Sequence, residues 1–135
     1  STDEIYGEIS ESSFTEEEWQ LVLNTNLTSV FLFAQAVAPH MLKQKKGKII
    51  NISSNSDGLA PPYFSAYCTS KASVSMFTRC MATEWAPYNI CVNAIAPGSV
   101  LTEFTAPVLN NPERKKFILE RIPLGRLGET RDIGL

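Results

Sequence analysis

Two stretches of the chain carry apolar residues at helical spacing, and each is followed by a short run that is apolar at nearly every position. In the first, Trp19, Val22, Leu23, Leu27, Val30, Phe31, Ala34, Val37 and Ala38 recur with the 3.6-residue period of one helix face. Thr15-Glu16-Glu17-Glu18 opens this helix as a capping box. The threonine oxygen accepts a backbone amide, Glu18 reaches back, and three carboxylates meet the positive end of the helix dipole. The helix should stop near Lys46-Gly47, with Lys43, Lys45, Lys46 and Lys48 set against its terminal carbonyls, and Pro39 is placed to bend it. Lys48 to Ser53 then reads as a strand of the kind buried on both faces in a parallel sheet.

Turn formers follow in Ser54-Asn55-Ser56-Asp57-Gly58 and Pro61-Pro62. A second helix is predicted from about Ser65 to Trp85, burying Ala66, Ala72, Val74, Met76, Phe77, Cys80, Met81 and Trp85, and ended by Pro87 and Asn89. Ile90 to Ala96 is the second parallel strand, and Pro97-Gly98 breaks the chain as it leaves the sheet. Helix, strand, helix, strand with short joins predicts an α/β fold, part of a doubly wound parallel sheet of Rossmann type in three αβα layers. Ligands of such folds sit beyond the carboxyl ends of the strands, where Ser54 and Gly98 fall. Residues 103–124, with a helical stretch from Glu113 to Arg121, read as a flap whose Phe104, Val108, Phe117, Ile118 and Leu119 face a substrate.

At 135 residues the chain suits one domain. Its 12 basic and 14 acidic side chains are nearly balanced, which favours neither nucleic acid nor an anionic membrane as partner. The longest apolar stretch, from Val30 to Pro39 and interrupted by Gln35, falls short of the roughly 20 residues of a membrane helix. Ser1-Thr2-Asp3-Glu4 is acidic and unlike a signal peptide. Cys68, Cys80 and Cys91 are odd in number and widely spaced. They read as reduced, neither disulfides nor metal ligands, which points to the cytoplasm or another reducing intracellular compartment. The single histidine, His40, reads as decoration near a helix end.

The chemistry gathers at Tyr67-Cys68-Thr69-Ser70-Lys71. Four residues apart on a helix, the phenol and the ammonium share a face, and a cation held there favours the phenolate, so that the tyrosine can trade protons near neutral pH. Ser54 lies thirteen residues upstream of Tyr67, at the end of the first strand.

The serine, the Tyr-x-x-x-Lys spacing and Pro97-Gly98-Ser99-Val100-Leu101-Thr102 together resemble the short-chain dehydrogenase/reductase family. The resemblance implies an NAD(P)-dependent oxidoreductase that interconverts a secondary alcohol and a ketone, with NAD or NADP as cofactor and a small-molecule substrate. Tyr67 would give a proton to the carbonyl or take one from the alcohol, Ser54 would hydrogen-bond the substrate oxygen, and Lys71 would bind the nicotinamide ribose. Asn26 matches the asparagine that orients a water in the family's proton relay, and its local alternative is a bond to a helix carbonyl. Pro97, Gly98, Val100 and Thr102 match the segment that meets the nicotinamide, and Asn93 is given a structural role at the strand end. Pairing of the two long helices implies a homodimer or homotetramer.

The family's glycine-rich turn, which cradles the pyrophosphate, has no counterpart before Thr15. Two strands and two helices leave a sheet edge and much apolar surface without a partner, so the chain is expected to be an excerpt of a longer enzyme. A truncated, non-catalytic remnant used for association is the second reading. A sugar-nucleotide epimerase sharing Tyr-x-x-x-Lys is the third, disfavoured by the Pro-Gly turn and its threonine.

Overall fold

The computed structural model describes residues 14–59, 61–103 and 105–134, with the side chain of residue 108 left out. They fall into two compact units, residues 14–96 and residues 97–134. The first unit begins with helix α1 (Glu16–Leu23), whose capping box forms as the sequence predicts: Glu18 N donates to Thr15 Oγ1 at 3.2 Å and Thr15 N to Glu18 Oε2 at 2.8 Å. A π-helical turn (Asn24–Thr28) leads directly into helix α2 (Ser29–Gln44). Periodicity does not announce this turn, but its residues do, because Asn, Thr and Ser offer the backbone alternative partners. Ser29 N–H reaches back to Asn24 O, and Ser29 Oγ donates to Thr25 O at 2.6 Å.

Strand β1 (Gly47–Ile52), helix α3 (Ser65–Trp85) and strand β2 (Ile90–Ile95) complete the unit. The strands are parallel, with Gly47 opposite Ile90 and Ile52 opposite Ile95. A core of Ala34, Met81, Trp85, Ile90 and Val92, with Met41, Leu42, Ile49 and Phe77 around it, joins both long helices to one face of this sheet. Among the described residues the opposite face is uncovered. Ile50 and Ile52 are 61 % and 49 % exposed, so β1 is not covered on both faces as expected, and the sheet and one helical layer are present. On α3, Met76 and Cys80 are exposed rather than buried, while Ser70 and Thr78 are buried in their place. The reason is polar pairing with β1 and the π-helical turn, which apolar periodicity cannot register. Taken whole, Glu16–Gln44 is long and apolar enough to cross a membrane. That corrects the shorter run read from Val30 to Pro39, but three glutamates open the helix, a polar turn divides it, and Ala34, Ala38 and Met41 are committed to the core.

The end of α2 differs from expectation in which residue makes the turn. Lys45, not Gly47, adopts the left-handed conformation (φ 50°, ψ 43°). Gly47 is required for space, since a Cβ there would lie 2.6 Å from Met41 Sδ. Asn89, also left-handed at φ 57°, precedes β2 and donates from Nδ2 to Lys45 O at 3.3 Å. Asn93 lies inside β2 rather than at its end.

In the second unit, Val100 bridges Gly128, with Leu101 N–H donating to Gly128 O at 2.8 Å. Two short helices follow, α4 (Ala106–Leu109) and α5 (Pro112–Leu119), the latter capped by Asn111 Oδ1 accepting from the amides of Glu113 and Arg114. Arg126 grips Asp132 with both guanidinium nitrogens, at 2.7 and 3.0 Å, and holds that carboxyl well below the usual carboxylate range. Phe104 lies outside the described residues, while Phe117, Ile118 and Leu119 are half-buried.

Replacing Lys45 by glycine should raise stability by about 0.5–1 kcal/mol, because glycine enters the left-handed region without the Cβ penalty. Gly47→Ala should lower it by about 1–3 kcal/mol through the clash with Met41. Urea unfolding midpoints check both.

Candidate active site

The predicted residues of the first unit gather where β1 ends against the middle of α3. Ser53, 2 % exposed, donates from Oγ to the backbone oxygen of Lys71 at 2.9 Å. In return Lys71 Nζ donates to the backbone oxygen of Ile52 at 3.0 Å. This reciprocal pair fixes the strand end to the helical turn that carries Tyr67 and Lys71, and Ser54 is the next residue along the strand.

Tyr67 and Lys71 share a helix face as their spacing requires, and Lys71 Nζ lies 5.8 Å from the centre of the tyrosine ring. The ring is half-buried and meets Phe64 edge to face at 6.5 Å between centroids. Burial pushes the Lys71 ammonium below the ordinary lysine range, because desolvation penalises the charged form. The bond to Ile52 O holds the ammonium in place without neutralising it.

Ser54, 6 % exposed, ends the strand as the cap of a 3-10 turn (Asn55–Asp57). Its Oγ accepts from Ser56 N at 3.1 Å and donates to Asn55 Oδ1 in a long bond of 3.5 Å. One lone pair is therefore committed to the turn.

Asn26 sits in the π-helical turn and reaches α3. Its Nδ2 donates to Ser70 Oγ at 3.0 Å, and Ser70 Oγ donates to the backbone oxygen of Tyr67 at 2.7 Å. The local carbonyl bond considered for a helix-interior asparagine is replaced by this longer link, because the widened turn swings the side chain toward α3. A cleft of about 520 Å³ adjoins Asn26 and Lys71, walled by Val30, Phe33 and Ile50 among others.

Sequence reasoning overlooked Asn51, Ser53, Ser75 and Thr78. Asn51 Nδ2 donates to Thr78 Oγ1 at 2.8 Å, and Ser53 Oγ lies 2.7 Å from Ser75 Oγ. The signal was available: Tyr67, Lys71, Ser75 and Thr78 recur at intervals of four, four and three, a polar stripe on an otherwise apolar helix.

Pro97, Gly98, Val100 and Thr102 belong to the second unit. Thr102 Oγ1 lies 3.1 Å from Thr105 Oγ1, whose hydroxyl oxygen also accepts from Thr102 N at 3.0 Å. The amides of Leu101 and Thr102 are thus already partnered.

A family model described as short chain dehydrogenase matches residues 5–113. The 2-dehydro-3-deoxy-D-gluconate 5-dehydrogenase of Bacillus subtilis is 47 % identical over 121 residues, covering 90 % of this chain and 48 % of that protein. A 3-oxoacyl-acyl-carrier-protein reductase of Haemophilus influenzae is 41 % identical over 118 residues, 87 % of this chain and 48 % of its own length. Among solved structures, a gluconate 5-dehydrogenase of Burkholderia cenocepacia in complex with NADP and tartrate superposes with a TM-score of 0.86. It is 36 % identical and aligns with 90 % of this chain and 48 % of its own. The chain spans about half the length of the curated relatives it matches.

Thr78→Val should lower stability by about 1–3 kcal/mol, since it strands the buried Asn51 amide, and Asn51→Leu added to it should recover most of the loss. Denaturant unfolding of the single and double variants checks this. The Lys71 side chain should titrate below an ordinary lysine when followed by NMR. With its folded value depressed, the unfolded state binds more protons between that value and about 10.4, so stability should rise with pH across that window.

Proposed function

The chain belongs to the short chain dehydrogenase family, and from that membership we propose that it forms the catalytic half of an NAD(P)-dependent oxidoreductase interconverting a secondary alcohol and a ketone. The observation that carries this is the junction itself: a phenol and a half-buried ammonium on one helix face, locked to the strand end that bears Ser54. Tyr67 gives a proton to the carbonyl oxygen, or takes one from the alcohol, while Ser54 Oγ donates to that oxygen. The bond from Ser56 N takes only a lone pair of Ser54, and the substrate oxygen would replace Asn55 Oδ1 as acceptor of the Ser54 proton, which that amide oxygen holds in a long 3.5 Å bond. Lys71 holds positive charge beside the phenol and offers its remaining N–H groups to a ribose. Asn26, tied through Ser70 to the carbonyl of Tyr67, is the water-orienting residue.

A nicotinamide cofactor supplies the hydride exchange when bound, and the donor set suits its nicotinamide end. A cation with no carboxylate partner among the described residues fits ribose hydroxyls, and Pro97, Gly98, Val100 and Thr102 would supply a turn for the carboxamide. Leu101 and Thr102 use their amides internally, and the Val100 carbonyl and the Thr102 hydroxyl are bonded to Thr105, so the carboxamide would rely on the Val100 amide and on displacing Thr105 from the Thr102 hydroxyl. Residues 103–124 serve as the substrate-side flap.

For substrate we propose a small polyhydroxy acid. The name of the Bacillus subtilis relative and the tartrate held by the Burkholderia cenocepacia structure support that class. A 3-oxoacyl thioester is the alternative that the Haemophilus influenzae relative raises.

The noncatalytic association reading draws on the exposed Phe31, Leu32 and Phe33 of α2, the last 74 % exposed, which also suit a homodimer or homotetramer through the long helices. A reducing intracellular compartment fits three cysteines outside any disulfide.

In a full-length enzyme carrying this chain, built with the amino-terminal portion of the Bacillus subtilis relative, ketohexonates should be reduced in preference to a 3-oxoacyl thioester. Tyr67→Phe should lower kcat by about 10²–10⁴-fold with cofactor affinity retained, measured by nicotinamide absorbance and fluorescence titration. Retained turnover would remove Tyr67 from its role, and a dimer by sedimentation that neither binds cofactor nor turns over would favour the association reading.

A further inference from the structure

The roles proposed for Ser54, Tyr67 and Lys71 leave one half-buried polar cluster without a task. Ser75 Oγ donates to Asp57 Oδ2 in a short bond, Ser53 Oγ lies 2.7 Å from Ser75 Oγ and 3.4 Å from Asp57 Oδ2, and Ser53 also donates to Lys71 O. Two hydroxyl protons serve three acceptors here. The carboxylate, the strongest of them, takes the proton of Ser75, which leaves the proton of Ser53 shared between the Ser75 oxygen and the Lys71 carbonyl.

We propose that Asp57 and Ser75 form a clasp that positions the Ser54 hydroxyl for the reaction, making Asp57 a positioning residue three places beyond Ser54. The route is short. Ser54 Oγ is oriented by the amide of Ser56 inside the 3-10 turn (Asn55–Asp57). That turn is anchored at its near end by Ser53 on α3 and at its far end by Asp57 on Ser75. Ser75 lies one helical turn beyond Lys71 and two beyond Tyr67, so the grip of Asp57 ties the serine's turn to the helix that carries the phenol. Without it, the bonds among the described residues hold the turn at the strand side. Ser54 then samples orientations that lengthen its bond to the substrate oxygen. This inference rests on the proposed oxidoreductase chemistry of Ser54 and Tyr67, and its test separates the two.

In the full-length enzyme, Asp57→Ala and Ser75→Ala should each lower kcat by about tenfold to a hundredfold, as misplacement of a reacting partner does, with cofactor KM nearly unchanged. The double variant should cost no more than either single change, because both remove one bond. Asp57→Asn should recover most of the activity, since its amide oxygen still accepts the Ser75 proton. Amide hydrogen exchange at Ser56 should accelerate in both alanine variants and return toward wild type in Asp57→Asn, whether or not the enzyme turns over. Wild-type kcat in Asp57→Ala, an Asp57→Asn as impaired as the alanine variant, losses of kcat and cofactor binding that merely follow the folded fraction, or unchanged Ser56 exchange would each overturn the clasp. Normal turnover in Tyr67→Phe would instead defeat the oxidoreductase chemistry, and Ser56 exchange would still decide whether Asp57 holds the turn.

Discussion

A buried seam of hydrogen bonds between β1 and α3 is the constraint on which the rest of the first unit depends. Asn51 and Ser53, two residues apart and therefore on one face of the strand, meet Thr78 on one side and Ser75 with the Lys71 carbonyl on the other. The apolar core of Met81, Trp85, Ile90 and Val92 favours burial but tolerates many alignments. The seam does not. Sliding the helix by one turn, about 5.4 Å, would leave the Asn51 amide and the Ser53 hydroxyl buried without partners. Hydrophobic contact thus holds the layers together, and a few polar pairs choose the alignment.

That division of labour matters for chemistry because the proposed catalytic groups are placed by the selective part. Lys71 is bound to the strand at both its backbone and its side chain, so its ammonium is fixed while partly stripped of water. Tyr67 inherits its position from the same turn, and Asn26 reaches that turn through Ser70. None of these side chains depends on a long loop for its place. A site built from element ends and helix faces is held more tightly than one built from loops alone.

Much of the architecture was legible in the letters. The capping box, the full extent of α3 and both strands to within a residue or two follow from periodicity, caps and turn residues. Tyr67, Lys71 and Ser54 were singled out because their spacing is a chemical pattern. What escaped was whatever depends on a partner distant in sequence. Ser70 and Thr78 look like surface residues until Asn26 and Asn51 are brought against them, and Met76 and Cys80 look like core until those polar pairs take the inner face. Lys45 was read as a cation near carbonyls, whereas it makes the left-handed turn itself, and Gly47 is needed for the space that Met41 claims beside it.

The π-helical turn at Asn24–Thr28 adds one residue to a single coil of an otherwise regular rod. Each residue of an α-helix advances the side-chain direction by about 100°, so everything after the bulge is out of phase with everything before it by that angle. Glu16–Leu23 and Ser29–Gln44 therefore behave as two rods sharing an axis, each with its own azimuth toward the body of the protein. Losing a single amino acid there would regularise the coil and leave Ala34, Ala38 and Met41 facing the interior, whereas winding the same residues into regular α-helix at unchanged length would rotate all three out together.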